Sequence, residues 1–349
     1  MRRLSMLLAI SGAVAAGCAM LHSDEAVRYE LIAKYQVGGE GGWDFIKLDD
    51  HRHRLFISRG NRVQVVDSRT GGAAGEISGT EGVHGIALAE GVGLGFTSNG
   101  RSDSVTVFDL ETLAVRDSVK VTGTNPDAII YEPVADRVMA FNGRSANVSM
   151  INPRTRLVTD TIPLPGKPEV AVSDGQGRVY VNIEDRNSIA VLDIKGHRLA
   201  TEWMLNGCEA PTGLAIDVRR HRLFSACHNK KLMVVDSESG QVLQELPIGA
   251  EVDGTEFDPA TGLVFTSNGD GTLTVIHAET GRPYRVLQDA TTQSRARTLA
   301  LDRDSHAVYL VTASFEAAPA ATPADPRPRA RMIPGSFVVL VMGPTKRST

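Results

Sequence analysis

A five-residue pattern of the form apolar-x-apolar-apolar-Asp, with Asn or His in place of the Asp twice, recurs along the chain. Its copies are Val63–Asp67, Val105–Asp109, Val148–Asn152, Ile189–Asp193, Leu232–Asp236 and Leu273–His277. Successive copies lie 42, 43, 41, 43 and 41 residues apart. A near-constant period of that size means that one supersecondary unit is repeated, because a single such unit cannot bury its apolar face alone. The alternation inside each copy has period two, so the unit is made of strands.

A second strand precedes each copy by about ten residues: Arg54–Ser58, Leu94–Asn99, Val138–Asn142, Val179–Ile183, Leu223–Cys227 and Leu263–Asn268, with a seventh at Val308–Thr312. Before those runs a short first strand that starts in turn at Asp44, His84, Asp127, Glu169, Thr212, Asp253 and Arg297. Turns such as Asp67–Gly71 and Asp236–Gly240 lead into a fourth strand, since Asx side chains bond their own backbone and Gly tolerates positive φ. Seven units of four antiparallel strands predict an all-β, seven-bladed β-propeller. The last unit ends after three strands, Phe337–Val341 being the third, and an unpaired segment Tyr29–Val37 precedes the first. That segment is expected to close the ring as the outer strand of the seventh blade, giving one propeller over 29–343 and no open edge.

The copies Phe96-Thr97-Ser98-Asn99, Tyr180-Val181-Asn182 and Phe265-Thr266-Ser267-Asn268, each followed by a copy of the five-residue pattern, resemble the YVTN-repeat (YncE-like) propellers from Tyr29 to Val341. The resemblance implies the fold and little of the function, since propellers host binding, hydrolase, lyase and redox roles. A WD40 reading is disfavoured, because Trp43 and Trp203 are the only tryptophans and neither precedes an Asp in a repeated third-strand position.

Arg2 and Arg3, then an apolar run from Leu4 to Val14, then small residues, make 1–21 read as an export signal. Ala15-Ala16-Gly17-Cys18 resembles a bacterial lipobox, with Ala15 where that motif prefers Leu. Lipid anchoring through Cys18 is therefore expected, with soluble periplasmic release and an uncleaved anchor as the alternatives. The formal net charge of −4 becomes −6 once a leader with two Arg and no acid is removed. An acidic surface disfavours nucleic acid as a partner, whose binding rests on neutralising phosphates. No helical stripe or coiled coil argues for oligomers, so a monomer is expected.

In a propeller the first strands line the axial channel, so Asp44, His84, Asp127, Glu169, Thr212, Asp253 and Arg297 are expected to ring one mouth as the candidate ligand site. Small second positions at Gly85, Ala128, Gly213 and Gly254 would let the backbones crowd the axis. Carboxylates with an imidazole suit a divalent cation or an acid–base role. No cofactor is the leading expectation; a divalent metal on His84, Asp127 and Glu169 is the alternative. Lys47 and Glu256 fall further down the channel. Cys208 and Cys227 flank antiparallel neighbours in an exported chain, which predicts a disulfide; a metal or redox pair with His228 is the rival. The insert Ala313–Ser336, rich in Pro and carrying Arg327, Arg329 and Arg331, falls over the mouth and is expected to be extended and unpacked. The functional expectation is a non-catalytic binding or scaffold protein of the cell envelope that takes a protein, envelope polymer or small ligand on its loop-bearing face. The alternative is an enzyme resembling the propeller lactonases or lyases, with His84 as base and Asp44, Asp127, Glu169 or Asp253 as metal ligands or acid.

Overall fold

The computed structural model describes residues 27–277, 282–319 and 330–345. The segment read as an export signal, with Cys18, and Arg327 and Arg329 of the insert, lie outside the described residues. Twenty-eight strands form seven four-stranded antiparallel sheets, and two single 3₁₀ turns, Glu90–Val92 and Glu184–Arg186, are the helical elements among the described residues. Blades one to six span 46–78, 83–120, 126–163, 168–204, 211–247 and 252–291. Blade seven takes Leu299–Leu301, Val308–Thr312 and Val338–Thr345, and its outer strand is Arg28–Gln36 from the start of the described chain. The ring is thus closed by a strand from each end, as the sequence predicts.

The apolar core has no single centre. It is divided into seven clusters, and each fills the gap between two neighbouring blades. That distribution follows from the strand pattern: the second and third strands are buried on both faces, as in Leu263–Asn268, whereas outer strands such as Val115–Lys120 bury one side chain. Aromatic side chains join blades at the rim. Tyr35 and Trp203, on the outer strands of blades seven and four, cover the turn glycines Gly71 and Gly240 of the next blade, where an added Cβ would come within 2.3 Å of the aromatic side chain. Both glycines also have positive φ, 71° and 76°, so any side chain there is strained and sterically blocked.

The recurring Ser and Asn of the second strands have a physical task. Ser98 of blade two donates to the carbonyl of Asp127, Asn182 of blade four to those of Thr212 and Gly213, and Ser267 of blade six to that of Arg297. Each motif residue therefore pins the first strand of the following blade. The small second positions permit this approach: a Cβ on Gly85 would lie 3.0 Å from the carbonyl oxygen of Asp127, and one on Gly254 3.1 Å from the backbone nitrogen of Leu299.

Two expectations need correction. The first strands do not run regularly from their opening residues. In blades two to six the register shifts at the start, between Val83 and Ile86, Pro126 and Ile129, Pro168 and Ala171, Pro211 and Leu214, and Val252 and Gly254. A bulge there frees the mouth residue from the ladder and re-aims its side chain. The insert is also not unpacked throughout. Its two ends pair at Phe315 and Met332, and Phe315 packs on Trp43 with ring centres 5.9 Å apart, because apolar partners on blades one and seven compensate for the missing local periodicity.

Candidate functional site at the channel mouth

The residue two positions before the mouth residue has positive φ in five blades: Gly82, Asn125, Ala210, Glu251 and Arg295. Lys167 occupies the same position in blade four without the positive φ, and its side chain enters the site instead.

The mouth residues sort into three paired groups. Blades one to three bring together Asp44, His84 and Asp127: the His84 Nδ1 lies 2.6 Å from Asp44 Oδ2 and 3.7 Å from Asp127 Oδ1. The opposite ring nitrogen abuts Gly100, where an added Cβ would lie 2.7 Å from Nε2. Burial alone would lower the His84 pKa, but the hydrogen bond to Asp44 and the charges of Asp127, Asp44 and Glu169 outweigh it and raise the value. Burial pushes Asp127 up to about 6, against the opposing pull of His84.

Blade four forms the second group. Lys167 bridges Glu169, 2.7 Å away, and Glu184 of the 3₁₀ turn. Burial and the charge of Asp127 push Glu169 up to about 8, whereas hydrogen bonds from Lys167 and Glu169 overcome the burial of Glu184 and hold it below its ordinary range. Glu169, which the sequence groups with His84 and Asp127 as an alternative metal ligand, is here in contact with Lys167 and Glu184, neither of which the sequence singles out. The third group is Thr212, Asp253 and Arg297. Thr212 is buried and donates to Asp253 at 3.2 Å, and Arg297 Nε pairs with the other carboxylate oxygen at 3.1 Å. Burial pushes Asp253 up to about 6 despite Arg297. Below the mouth, a cavity of about 430 Å³ occupies the channel and is lined in part by Lys47 and Glu256, as expected from their positions.

The Glu169 group has a testable pH signature. Its folded pKa lies above the ordinary 4.5, so the folded chain holds this proton more tightly than the unfolded one. The stability it contributes is fully present below about pH 4.5 and is lost as pH rises through about 8. Glu169→Gln removes that titration, and its stability relative to wild type should increase by at least about 1 kcal/mol between pH 5 and pH 9. Denaturation at both pH values checks this, and an unchanged difference would show that Lys167 keeps Glu169 ionised throughout.

Beside the mouth, a recess of about 600 Å³ opens between blades six, seven and one, lined among others by Trp43, Phe315, Met332, Glu251, Arg295 and Arg297. The Arg295 guanidinium lies 3.9 Å over the Phe315 ring. The loop carrying Trp43 is fixed from below by Arg59, which is completely buried, stacks 3.7 Å over Phe337 and donates to the carbonyls of Gly38, Gly39, Glu40 and Gly41. Sequence reasoning missed this recess, since its aromatic floor is assembled from segments almost 300 residues apart. Cys208 and Cys227 are joined as a disulfide, with 5.5 Å between their Cα atoms.

The fold and the mouth define the class: a seven-bladed β-propeller with a polar axial site, and such folds support binding and scaffold roles generally. No family model matches the chain. It is 37% identical over 73 residues to Antigen Lp49 of Leptospira interrogans, a stretch covering 20% of this chain and 16% of that protein. Its fold is similar to that of Kuenenia stuttgartiensis hydrazine synthase, with a TM-score of 0.67 at 16% identity over 77% of this chain and 92% of the other.

Proposed function

We propose that this chain is a YVTN-type binding propeller of the bacterial cell envelope that takes an anionic ligand with an aromatic or apolar body on its loop-bearing face. The observation that carries the reading is the recess beside the mouth. Its volume falls in the range of small-molecule sites, and it combines the apolar side chains of Trp43, Phe315 and Met332 with the guanidinium groups of Arg295 and Arg297 against the single carboxylate of Glu251. Rigid support favours binding: Arg59 fixes the Trp43 loop, and Phe315 is held by Trp43 and by its pairing with Met332. Location at the envelope, with Cys18 as the lipid attachment point, is supported by the leader sequence and by a disulfide that suits an oxidising compartment.

The test uses 8-anilinonaphthalene-1-sulfonate, an aromatic anion, as the probe on purified mature protein. Trp43→Ala and Arg297→Ala should each weaken its binding by about tenfold, in line with loss of about 1.4 kcal/mol per anchor. Equal binding by wild type and both variants would place the probe elsewhere and overturn the recess as the ligand site. Fractionation tests the location: Cys18→Ser should move the protein from the membrane to the soluble periplasmic fraction, and an unchanged distribution would exclude lipidation.

A further inference from the structure

We propose that Asp44, His84 and Asp127 form a binding site for a first-row divalent transition-metal ion at the channel mouth, separate from the recess and independent of its ligand. Three ligand atoms, one imidazole nitrogen and one oxygen from each carboxylate, lie within 4.8 Å of one another. They come from the opening residues of three consecutive blades, where the bulges of blades two and three and the crowding at Gly85 fix the backbone. Metal–nitrogen and metal–oxygen bonds of about 2.0–2.2 Å need ligand atoms separated by roughly 3–4 Å, so small side-chain rotations would suffice.

The pairing of Asp127 supplies a second observation. The Asp127 side chain is 16% exposed, and the one ion pair it makes among the described residues is with His84 Nδ1, at 3.7 Å and beyond hydrogen-bond range. The other half-buried mouth carboxylates are committed, Glu169 to Lys167 and Asp253 to Thr212 and Arg297. Asp127 is therefore the mouth acid whose nearest counter-charge stays beyond hydrogen-bond range, and a cation between it and Asp44 would provide a closer one. His84 is held so that Nδ1, not Nε2, faces this point, since Nε2 lies against Gly100. One nitrogen and two carboxylates suit Zn²⁺ or Mn²⁺ better than Ca²⁺, which takes six to eight oxygen ligands.

The experiment is calorimetric titration of chelator-treated, purified mature protein with Zn²⁺ alone, repeated with Co²⁺ followed by its visible absorption. One equivalent of Zn²⁺ per chain is expected. His84→Gln and Asp127→Asn should each weaken binding by at least about tenfold, because even outer-shell changes at metal sites cost 10–100-fold. Glu169→Gln should stay within about twofold of wild type. The Co²⁺ spectrum should carry a nitrogen-ligand signature that His84→Gln removes, and this separates ligand loss from misfolding when each variant melts like wild type. Absence of stoichiometric uptake, or uptake unchanged by His84→Gln and Asp127→Asn, would overturn the site. Loss in Glu169→Gln equal to that in Asp127→Asn would also overturn it, in favour of the His84, Asp127 and Glu169 set. None of these outcomes bears on the recess, which is tested by Trp43 and Arg297.

Discussion

Tyr29→Ala should destabilise the chain by about 3–5 kcal/mol, and removal of the whole strand Arg28–Gln36 should leave a protein that aggregates. Tyr29 is 1% exposed although it lies on an outer strand whose other side chains are mostly in solvent. Its ring meets Phe265 of blade six edge-on, with centres 4.9 Å apart. Its hydroxyl donates to the carbonyl of His306 at 3.0 Å, and its backbone nitrogen and oxygen both bond the side-chain amide of Gln288, again in blade six. One residue thus fastens the closing strand to the neighbouring blade as well as to its own. Tyr29→Phe keeps the ring and removes the hydroxyl, so it should cost only about 1 kcal/mol. Without the strand, Val338–Thr345 becomes an unpaired edge with six buried residues, Val338 to Gly343, which is a template for another chain. Chemical denaturation of the two point variants and light scattering of the truncated one check these results. A Tyr29→Ala loss below about 1 kcal/mol would mean that the remaining strand pairing holds the ring without this clasp.

The closing strand was legible in the sequence because periodicity and a counting argument coincide: an unpaired strand-like segment at one end and a three-stranded unit at the other. The same period placed the seven mouth residues, since a fixed offset from a repeated strand is a fixed place on the ring. What the period does not carry is which mouth residues become partners. Asp127 and Glu169 open adjacent blades, yet the period does not show that Lys167, two residues before Glu169, pairs with it at 2.7 Å. Lys167 is visible only once the preceding position is seen to be a left-handed kink in five other blades, a conformation that Asn125 and Gly82 hint at and Ala210, Glu251 and Arg295 do not. The recess was hidden for a related reason. Phe315 and Met332 stand in Pro-rich sequence with no local pattern, and their order comes from Trp43 across the blade seven–blade one junction. Local composition correctly argues against a self-sufficient element there, but it is silent about a partner supplied by ring closure.

Reduction of the Cys208–Cys227 disulfide should cost about 3 kcal/mol, the loop-closure value for a crosslink of this span, and should lower the thermal midpoint by about 5 °C. The two residues are 19 apart, 3% and 0% exposed, and packed in the cluster between blades four and five with Leu205, Leu214 and Met233. The bond spans the entry into blade five, where Pro211 pairs with Cys227 and Ala210 has a φ of 47°. Its first effect should therefore be local. Backbone amides from 205 to 210 and that of Thr212 should exchange faster in the reduced protein, whereas those of the second and third strands of blade two should not. Two perturbations separate the crosslink from packing. Reduced wild type keeps both sulfur atoms and nearly the same volume, so its loss reports the crosslink. Cys208→Ala with Cys227→Ala also creates space in the cluster and should lose about 1 kcal/mol more. Equal stability of oxidised and reduced wild type would show that the apolar cluster alone holds this entry. The consequence reaches the mouth, because the segment from Cys208 to Thr212 carries the donor to Asp253. A reduced chain that still folds should therefore show a Thr212–Asp253–Arg297 group with weaker order, read as faster exchange of the Thr212 amide, while the Asp44–His84 pair three blades away is unaffected.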